Sequence, residues 1–303
     1  MKLSHFQLVV AVAERGSIRA ASRHLGIAQS ALTRSLADLE RELGDAIFER
    51  RARGVILTPI GEAFVSNGRV ILNHVRRTGE EIRQMRGLGT GTVTVGLSIA
   101  IHLAVLPHVL RPFYVRYPEV RLNIIEGFYP TLASSLRDGS VDFYIGPESQ
   151  GKVSPELSRE VLFQGRRTVL CRQGNPMIAA RSLRDLADAR WISNSITMTA
   201  EDEIGLIFRD FGLPVPKVSI RSQSALTLIT CLSNTDFLAM VPMQWTEFEL
   251  TRKTLAEIKI KEKLLAPSIA LVKRADMPLT PAATYFLDLL RRSIERRILR
   301  GAN

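Results

Sequence analysis

The chain has 303 residues, 46% of them hydrophobic, which is enough for two or three modest domains with their own cores and excludes a disordered or fibrous protein. Its 41 Lys and Arg against 30 Asp and Glu give a net charge of +11 and point to a polyanionic partner, nucleic acid or a membrane surface. Cys171 and Cys231 stand far apart with no His beside either, so neither a zinc site nor a disulfide framework is expected.

The opening run MKLSHFQLVVAVAERGS starts like a secretory leader, but Glu14 and Arg15 interrupt it and no small-residue cleavage site follows. A cytoplasmic start is expected. No stretch approaches the ~18 consecutive apolar residues of a membrane span. Leu3, Phe6, Val10 and Ala13 mark the stripe of a first helix. Gly16-Ser17 ends it and supplies a Ser cap for a second, although Ala20 leaves the capping box incomplete. Ala20 and Ala21 let another helix lie close, and Gly26 permits a left-handed turn before a third helix begins at Ala28.

On that third helix Leu32, Leu36, Leu39 and Leu43 fall within about 60° of arc at ~100° per residue and form the buried face. Gln29, Ser30, Thr33, Arg34 and Ala37 lie opposite. One amide, two hydroxyls and one guanidinium suit a recognition helix in the major groove, and equally an ordinary solvated face. The next segment, IFERRARGVILTPIG, decides between them. It sets Arg50, Arg51 and Arg53 between the apolar anchors Phe48 and Leu57 with Gly54 for a turn, a short basic hairpin of the kind that touches phosphates or the minor groove.

From Pro59 to about Leu88 one long helix is expected. Phe64, Gly68, Ile71, Val75, Thr78, Ile82 and Met85 alternate spacings of four and three, a coiled-coil seam for a second subunit. Gly87, Gly89 and Gly91 break the pattern. Beyond Thr92 short β-branched runs (TVTVGL, VRLNIIE, VDFYIG, RRTVLCR, WIS, VSIRS, DFLAMVP, SIALVKR) alternate with amphipathic helices, a rhythm that predicts parallel sheets with helical crossovers in two small α/β lobes.

The stretch from Phe6 through VAERGSIRAASRHLGIAQSALTRSLADLERELG to FERRARGVILTPIGEAF resembles the N-terminal signature of LysR-type transcriptional regulators over about sixty residues. The resemblance implies an α/β protein with an N-terminal winged helix-turn-helix, a long linker helix, and a two-lobed effector domain like periplasmic solute-binding proteins. The expected bounds are 1–58, 59–88 and 92–303, with lobe I at about 92–163 and 267–300 and lobe II at about 164–266. It also implies that Gln29, Ser30, Thr33 and Arg34 face DNA and that Arg53 reaches it from the wing, beside Arg50 and Arg51. Position 30 is commonly Pro in the family and is Ser here, which puts that base contact in doubt.

In such a domain the ligand lies between the lobes, at strand ends and helix starts where free N–H groups favour anions. Candidate positions are Ser98, the GFYP turn with Phe128 and Tyr129, Pro147 after VDFYIG, Asn194, Ser195 and Thr197 after WIS, and Gln223 after VSIRS. Each alone also reads as a helix cap or core residue. Together they would hold a carboxylate or sulfonate without any fixed positive charge, with Phe128 and Tyr129 against the rest of the molecule. His102 reads as packing or solvent-facing. The wording around RLNIIEGFYPTLASSLRDGSVDFYIGP is also similar to a branch governing degradation of aromatic carboxylates and sulfonates.

The partners so implied are an inverted-repeat operator in double-stranded DNA, a small organic anion, a second copy through the linker helix and then a homotetramer, and RNA polymerase if the protein activates. No membrane, cofactor or metal is expected. An enzyme is disfavoured, because no nucleophilic triad, metal-spaced cluster, phosphate-cradling Gly loop or carboxylate pair stands out. A transport protein would need a leader and no DNA-binding head, and a nucleoid protein would need no sensor.

Overall fold

The computed structural model describes residues 1–51, 54–148, 154–193 and 200–296. Its head holds α1 (Leu3–Arg15), α2 (Ile18–Leu25), α3 (Gln29–Leu43) and the antiparallel hairpin β1 (Phe48–Arg51) and β2 (Gly54–Leu57), with Phe48 opposite Leu57. Ser17 caps α2, accepting from the Ala20 N–H at 3.1 Å, and Gly26 turns the chain at φ +67° into α3. Because α2, α3 and the helix after the hairpin all pack on α1, its buried arc is wider than one stripe. Leu8, Val9 and Val12 are buried there with Val10, whereas Leu3 is exposed. Leu43 is exposed as well, since the last turn of α3 runs past the end of the head core that covers Leu32, Leu36 and Leu39.

The linker helix α4 (Pro59–Met85) is capped by Thr58, which accepts from Gly61 N–H at 3.0 Å. At 27 residues it spans about 40 Å. Its first half joins the head: Phe64 stacks on Phe6 with ring centroids 5.0 Å apart, and Gly68 lies against Phe6 and Val10. Its second half inverts the usual arrangement. Arg77, Glu80 and Gln84 are buried against the next domain, while Ile71, Val75, Ile82 and Met85 are exposed. The helix thus covers more of itself within one chain than the seam suggested, and does so with its polar face.

Lobe I starts with β3 (Gly91–Leu97), α5 (Ile99–Ala104), α6 (Leu106–Arg116), β4 (Val120–Glu126), α7 (Tyr129–Arg137), β5 (Phe143–Pro147) and β6 (Leu157–Phe163). The chain then builds lobe II from β7 (Arg167–Arg172), β8 (Arg190–Ser193), α8 (Ala200–Asp210), β9 (Lys217–Arg221), α9 (Ala225–Asn234), β10 (Leu238–Pro242), α10 (Glu249–Thr254) and β11 (Leu255–Ile258). It returns to lobe I for β12 (Ile269–Arg274) and α11 (Pro281–Ile294).

The sheet orders are β4-β3-β5-β12-β6 and β11-β7-β10-β8-β9. The expectation of parallel sheets holds only in part: β3 pairs parallel with β4 and β5, and β8 with β9 and β10, but β12 is antiparallel to β5 and β6 and β7 is antiparallel to β10 and β11. The reason is the double crossing. A strand that comes back from the other lobe enters its sheet from the cleft end, opposite to strands joined by helical crossovers. Each lobe has an aromatic core, with Phe113 edge-on to Phe286 at 5.0 Å in lobe I and Trp191 edge-on to Phe208 at 5.6 Å in lobe II.

Candidate functional site

Two surfaces bring the singled-out residues together. On the head, Gln29, Ser30, Arg34 and Ala37 are exposed along one side of α3, and Thr33 is half-buried with its hydroxyl donating to the Gln29 carbonyl at 2.9 Å. The N-cap residue Ala28 gives no side-chain cap, so the first N–H groups of this 15-residue helix stay open beside Gln29 and Ser30. Arg19 and Arg23 are exposed on α2, cations that the sequence reading did not single out. The hairpin is pinned to the α1–α2 turn by Val55 N–H donating to the Gly16 carbonyl at 3.1 Å, and to α3 by Glu40, which accepts from Ile47 N–H at 2.8 Å and Phe48 N–H at 3.3 Å. Arg51 is exposed and ion-paired with Glu49 at 2.8 Å. Arg53 and the side chain of Arg50 lie outside the described residues.

The second site lies where the chain crosses between lobes. The two crossing segments run side by side: Ala266 N–H donates to the Gly165 carbonyl at 3.1 Å, Arg167 N–H to the Leu264 carbonyl at 2.9 Å, and the Gln164 amide to the Ala266 carbonyl at 2.6 Å. Across from them α5 of lobe I reaches lobe II, where Ile99 is buried in one cluster with Leu170, Ile192 and Trp245. Between hinge and α5 remains a cavity of about 60 Å³, lined by Ser98, Ile99, Ala100, Phe128, Pro147, Gly165, Arg166, Arg167, Glu203, Pro242, Gln244, Ala266, Pro267 and Ile269.

Of the expected residues, Ser98, Phe128 and Pro147 line this cavity. Ser98 is 1% exposed and its hydroxyl has no hydrogen-bond partner, as does the neighbouring Tyr144 hydroxyl, whose ionisation burial pushes above its ordinary value. Both residues lie against Gly146, where a Cβ would collide with the Tyr144 hydroxyl and approach the Ser98 Cβ to 2.9 Å. Tyr129 does not line the cavity: it is buried in the lobe I core with Leu132, Leu136 and Tyr144, since it opens α7 on the face that packs on the sheet. Gln223 is exposed and away from the cavity. Asn194, Ser195 and Thr197 lie outside the described residues. His102 is half-buried, its Nδ1 3.2 Å from the Ser98 carbonyl.

The cavity carries fixed charge that the sequence pattern did not suggest. Arg166 and Arg167 both line the cavity, and Arg167 is ion-paired with Glu203. The reading missed them because they look like the polar start of a strand, RRTVLCR; the available signal was their position at the expected lobe crossing. Among the described residues no group of His, Cys, Asp and Glu could hold a metal, and no helix is long and apolar enough to cross a membrane.

Comparison with known proteins gives these surfaces a family. Residues 3–62 match the model described as bacterial regulatory helix-turn-helix protein, lysR family, and residues 86–295 match the LysR substrate binding domain. The chain is 25% identical to the HTH-type transcriptional regulator GbpR of Azospirillum brasilense, over 99% of this chain and 89% of that protein. It is 26% identical to the SDS degradation transcriptional activation protein of a Pseudomonas species, over 95% of this chain and 94% of the other. Among solved structures, a full-length OxyR variant from Pseudomonas aeruginosa superposes with a TM-score of 0.68 at 20% identity, covering 96% of this chain and 98% of that one. CbnR, a LysR family regulator, superposes at 0.65 and 20% identity, covering 97% and 99%, and both structures show a shared fold. The chain belongs to the LysR family and is a DNA-binding transcription regulator, with its helix-turn-helix head on the same chain as a LysR substrate-binding domain.

Proposed function

We propose that this regulator answers to a small organic anion, an aromatic or short-chain acid, held between its lobes. The observation that carries the reading is the cavity at the crossing, where two arginines and the unpartnered Ser98 hydroxyl, with Glu203 and Gln244 beside them, meet apolar walls of Ile99, Phe128, Pro147 and Pro267. A carboxylate or sulfonate finds charge-assisted donors there and an apolar body finds a wall. That one relative is named for SDS degradation agrees with an anionic effector. The proposed division is a head at 1–58, a linker at 59–88 and an effector domain at 92–303, with lobe II at about 164–266; strand connectivity supports it. Gln29, Ser30, Thr33 and Arg34 would face an inverted-repeat operator, with Arg50, Arg51 and Arg53 on the wing. The exposed apolar half of α4 supports a homodimer, and two dimers would make the tetramer; an activator would also touch RNA polymerase.

A thermal-shift screen of the full chain against small organic acids and their neutral amides tests the effector. An acid at about 100 times its dissociation constant should stabilise by ~2.7 kcal/mol. If no acid stabilises the chain, or the amides do so equally, the anionic effector is wrong.

A further inference from the structure

The two arginines that enter lobe II differ in their surroundings. Arg166 is exposed and makes no ion pair among the described residues, whereas the Arg167 side chain is 9% exposed. A guanidinium cannot be deprotonated and is costly to bury without an anion. Here the anion is internal: Glu203 on α8 pairs with Nη2 of Arg167, and Glu203 also lines the cavity with its side chain 37% exposed. A guanidinium offers five N–H donors in a rigid fork that a carboxylate can engage two at a time. Glu203 takes one end only, and Arg167 Nε is buried with no hydrogen-bond partner. The strongest anion site in the cavity is therefore occupied by the protein's own carboxylate, incompletely, and on the side open to the cavity.

We propose that Glu203 is a resident counter-ion on Arg167 and that the carboxylate or sulfonate of an effector displaces it, so that ligand entry is an exchange of anions on one guanidinium. This rests on the cleft reading above and adds to it a specificity rule and a consequence. Neutral molecules of the same shape cannot make the exchange, because they leave Arg167 uncompensated once Glu203 moves. An anion that makes it frees α8 from β7, so the bound state differs from the empty one within lobe II.

The test uses the full chain with acetate and benzoate as probes, acetamide and benzamide as neutral controls, and chloride to match ionic strength. Glu203→Gln keeps the side-chain shape and removes the competing charge. It should bind benzoate or acetate on the order of tenfold more tightly than the parent chain and gain nothing for the amides. Arg167→Met combined with Glu203→Met should abolish that gain, which locates it on Arg167. If Glu203→Gln folds only when acetate is present, the rescue is itself the expected result, because a free carboxylate then stands in for the missing one. Equal carboxylate affinity in Glu203→Gln and the parent, a gain that survives in the double variant, or a variant that acetate fails to fold overturns the counter-ion. The cleft reading fails separately: it stands if benzoate stabilises the parent chain and Ser98→Trp removes that response, whatever Glu203→Gln does.

Discussion

The Arg77 guanidinium on α4 lies 2.8 Å from the Asp142 carboxylate at the start of β5, and both side chains are 5% exposed. Arg77 also donates to the Gly139 carbonyl at 3.0 Å, and Asp142 accepts from Thr94 N–H at 2.7 Å, so each ion is hydrogen-bonded beyond its partner. Asn73 donating to the Asp138 carbonyl at 2.8 Å and Gln84 accepting from Ala282 N–H at 3.0 Å extend the contact along α4. The other end of β5, Pro147, lines the cavity, so one strand joins the linker helix to the cavity between the lobes.

Arg77→Met should destabilise the chain by about 3–5 kcal/mol, because it leaves a buried carboxylate without its cation. Burial already holds the Asp142 carboxyl above its ordinary value, with Arg77 pulling it back. A raised folded-state value favours the folded chain fully below the ordinary Asp value of about 3.9 and loses that advantage as pH rises through the folded value. The penalty should accordingly be smallest near pH 4 and grow toward neutrality in denaturant titrations. Adding Asp142→Leu should recover much of it.

Val75→Glu or Ile82→Glu should convert a dimer to a monomer in sedimentation velocity, while circular dichroism of the chain stays unchanged. Both side chains are nearly half exposed, at 49% and 47%, on the apolar face that α4 leaves uncovered. Covering an apolar side chain of this size against a partner is worth ~1.5–3 kcal/mol. A dimer that survives both substitutions would place the subunit contact elsewhere.

Gln29→Ala should change which base is preferred, at ~1–3 kcal/mol of discrimination, and Arg34→Ala should weaken all sequences and flatten the salt dependence of binding. Both side chains are exposed on α3, so the head should stay folded. Uniform weakening by Gln29→Ala in a competition assay would remove its base-reading role.

Ser98→Trp should abolish thermal stabilisation by the effector and leave operator binding nearly intact, since Ser98 lines the cavity and the head shares none of its contacts. Gln223→Ala, exposed and outside the cavity, should leave the ligand response as it was. A response lost in both variants would point to a site that includes the start of α9.

Cys171 should resist alkylation at pH 8. It is buried in lobe II, and burial pushes its thiol up to about 11, so roughly one thiol in a thousand is ionised at that pH. The thiolate fraction rises tenfold per unit of pH below that value, and peptide mass mapping after brief iodoacetamide treatment should show the same slope. Rapid labelling at pH 7 would mean that lobe II opens readily.

The head was legible almost residue by residue, because its determinants are local: a Ser cap, a Gly turn and a leucine spacing each act within a few positions. Leu3 and Leu43 were misjudged where a helix end runs past its neighbours, which no periodicity records. The seam on α4 was visible as apolar spacing, but the burial of Arg77, Glu80 and Gln84 on its other side was not. Glu80 pairs with Arg76 on its own helix, but Arg77 and Gln84 are buried because partners far along the chain, Gly139, Asp142 and Ala282, arrive to satisfy them.

The cavity lining divides along the same line. Ser98, Phe128 and Pro147 follow from strands ending at a cleft, a local rule. Tyr129 met the same rule and packs in the lobe I core, because one residue of rotation at a helix start turns a side chain from cavity to core, while Gln223 is exposed outside the cavity. Sequence alone determined the family, the order of elements and the exposed side of α3, since these depend on near-neighbour patterns. Only the tertiary structure decided that Arg166, Arg167 and Glu203 charge the cavity, because that pairing joins a strand start to a helix 36 positions later through the hinge.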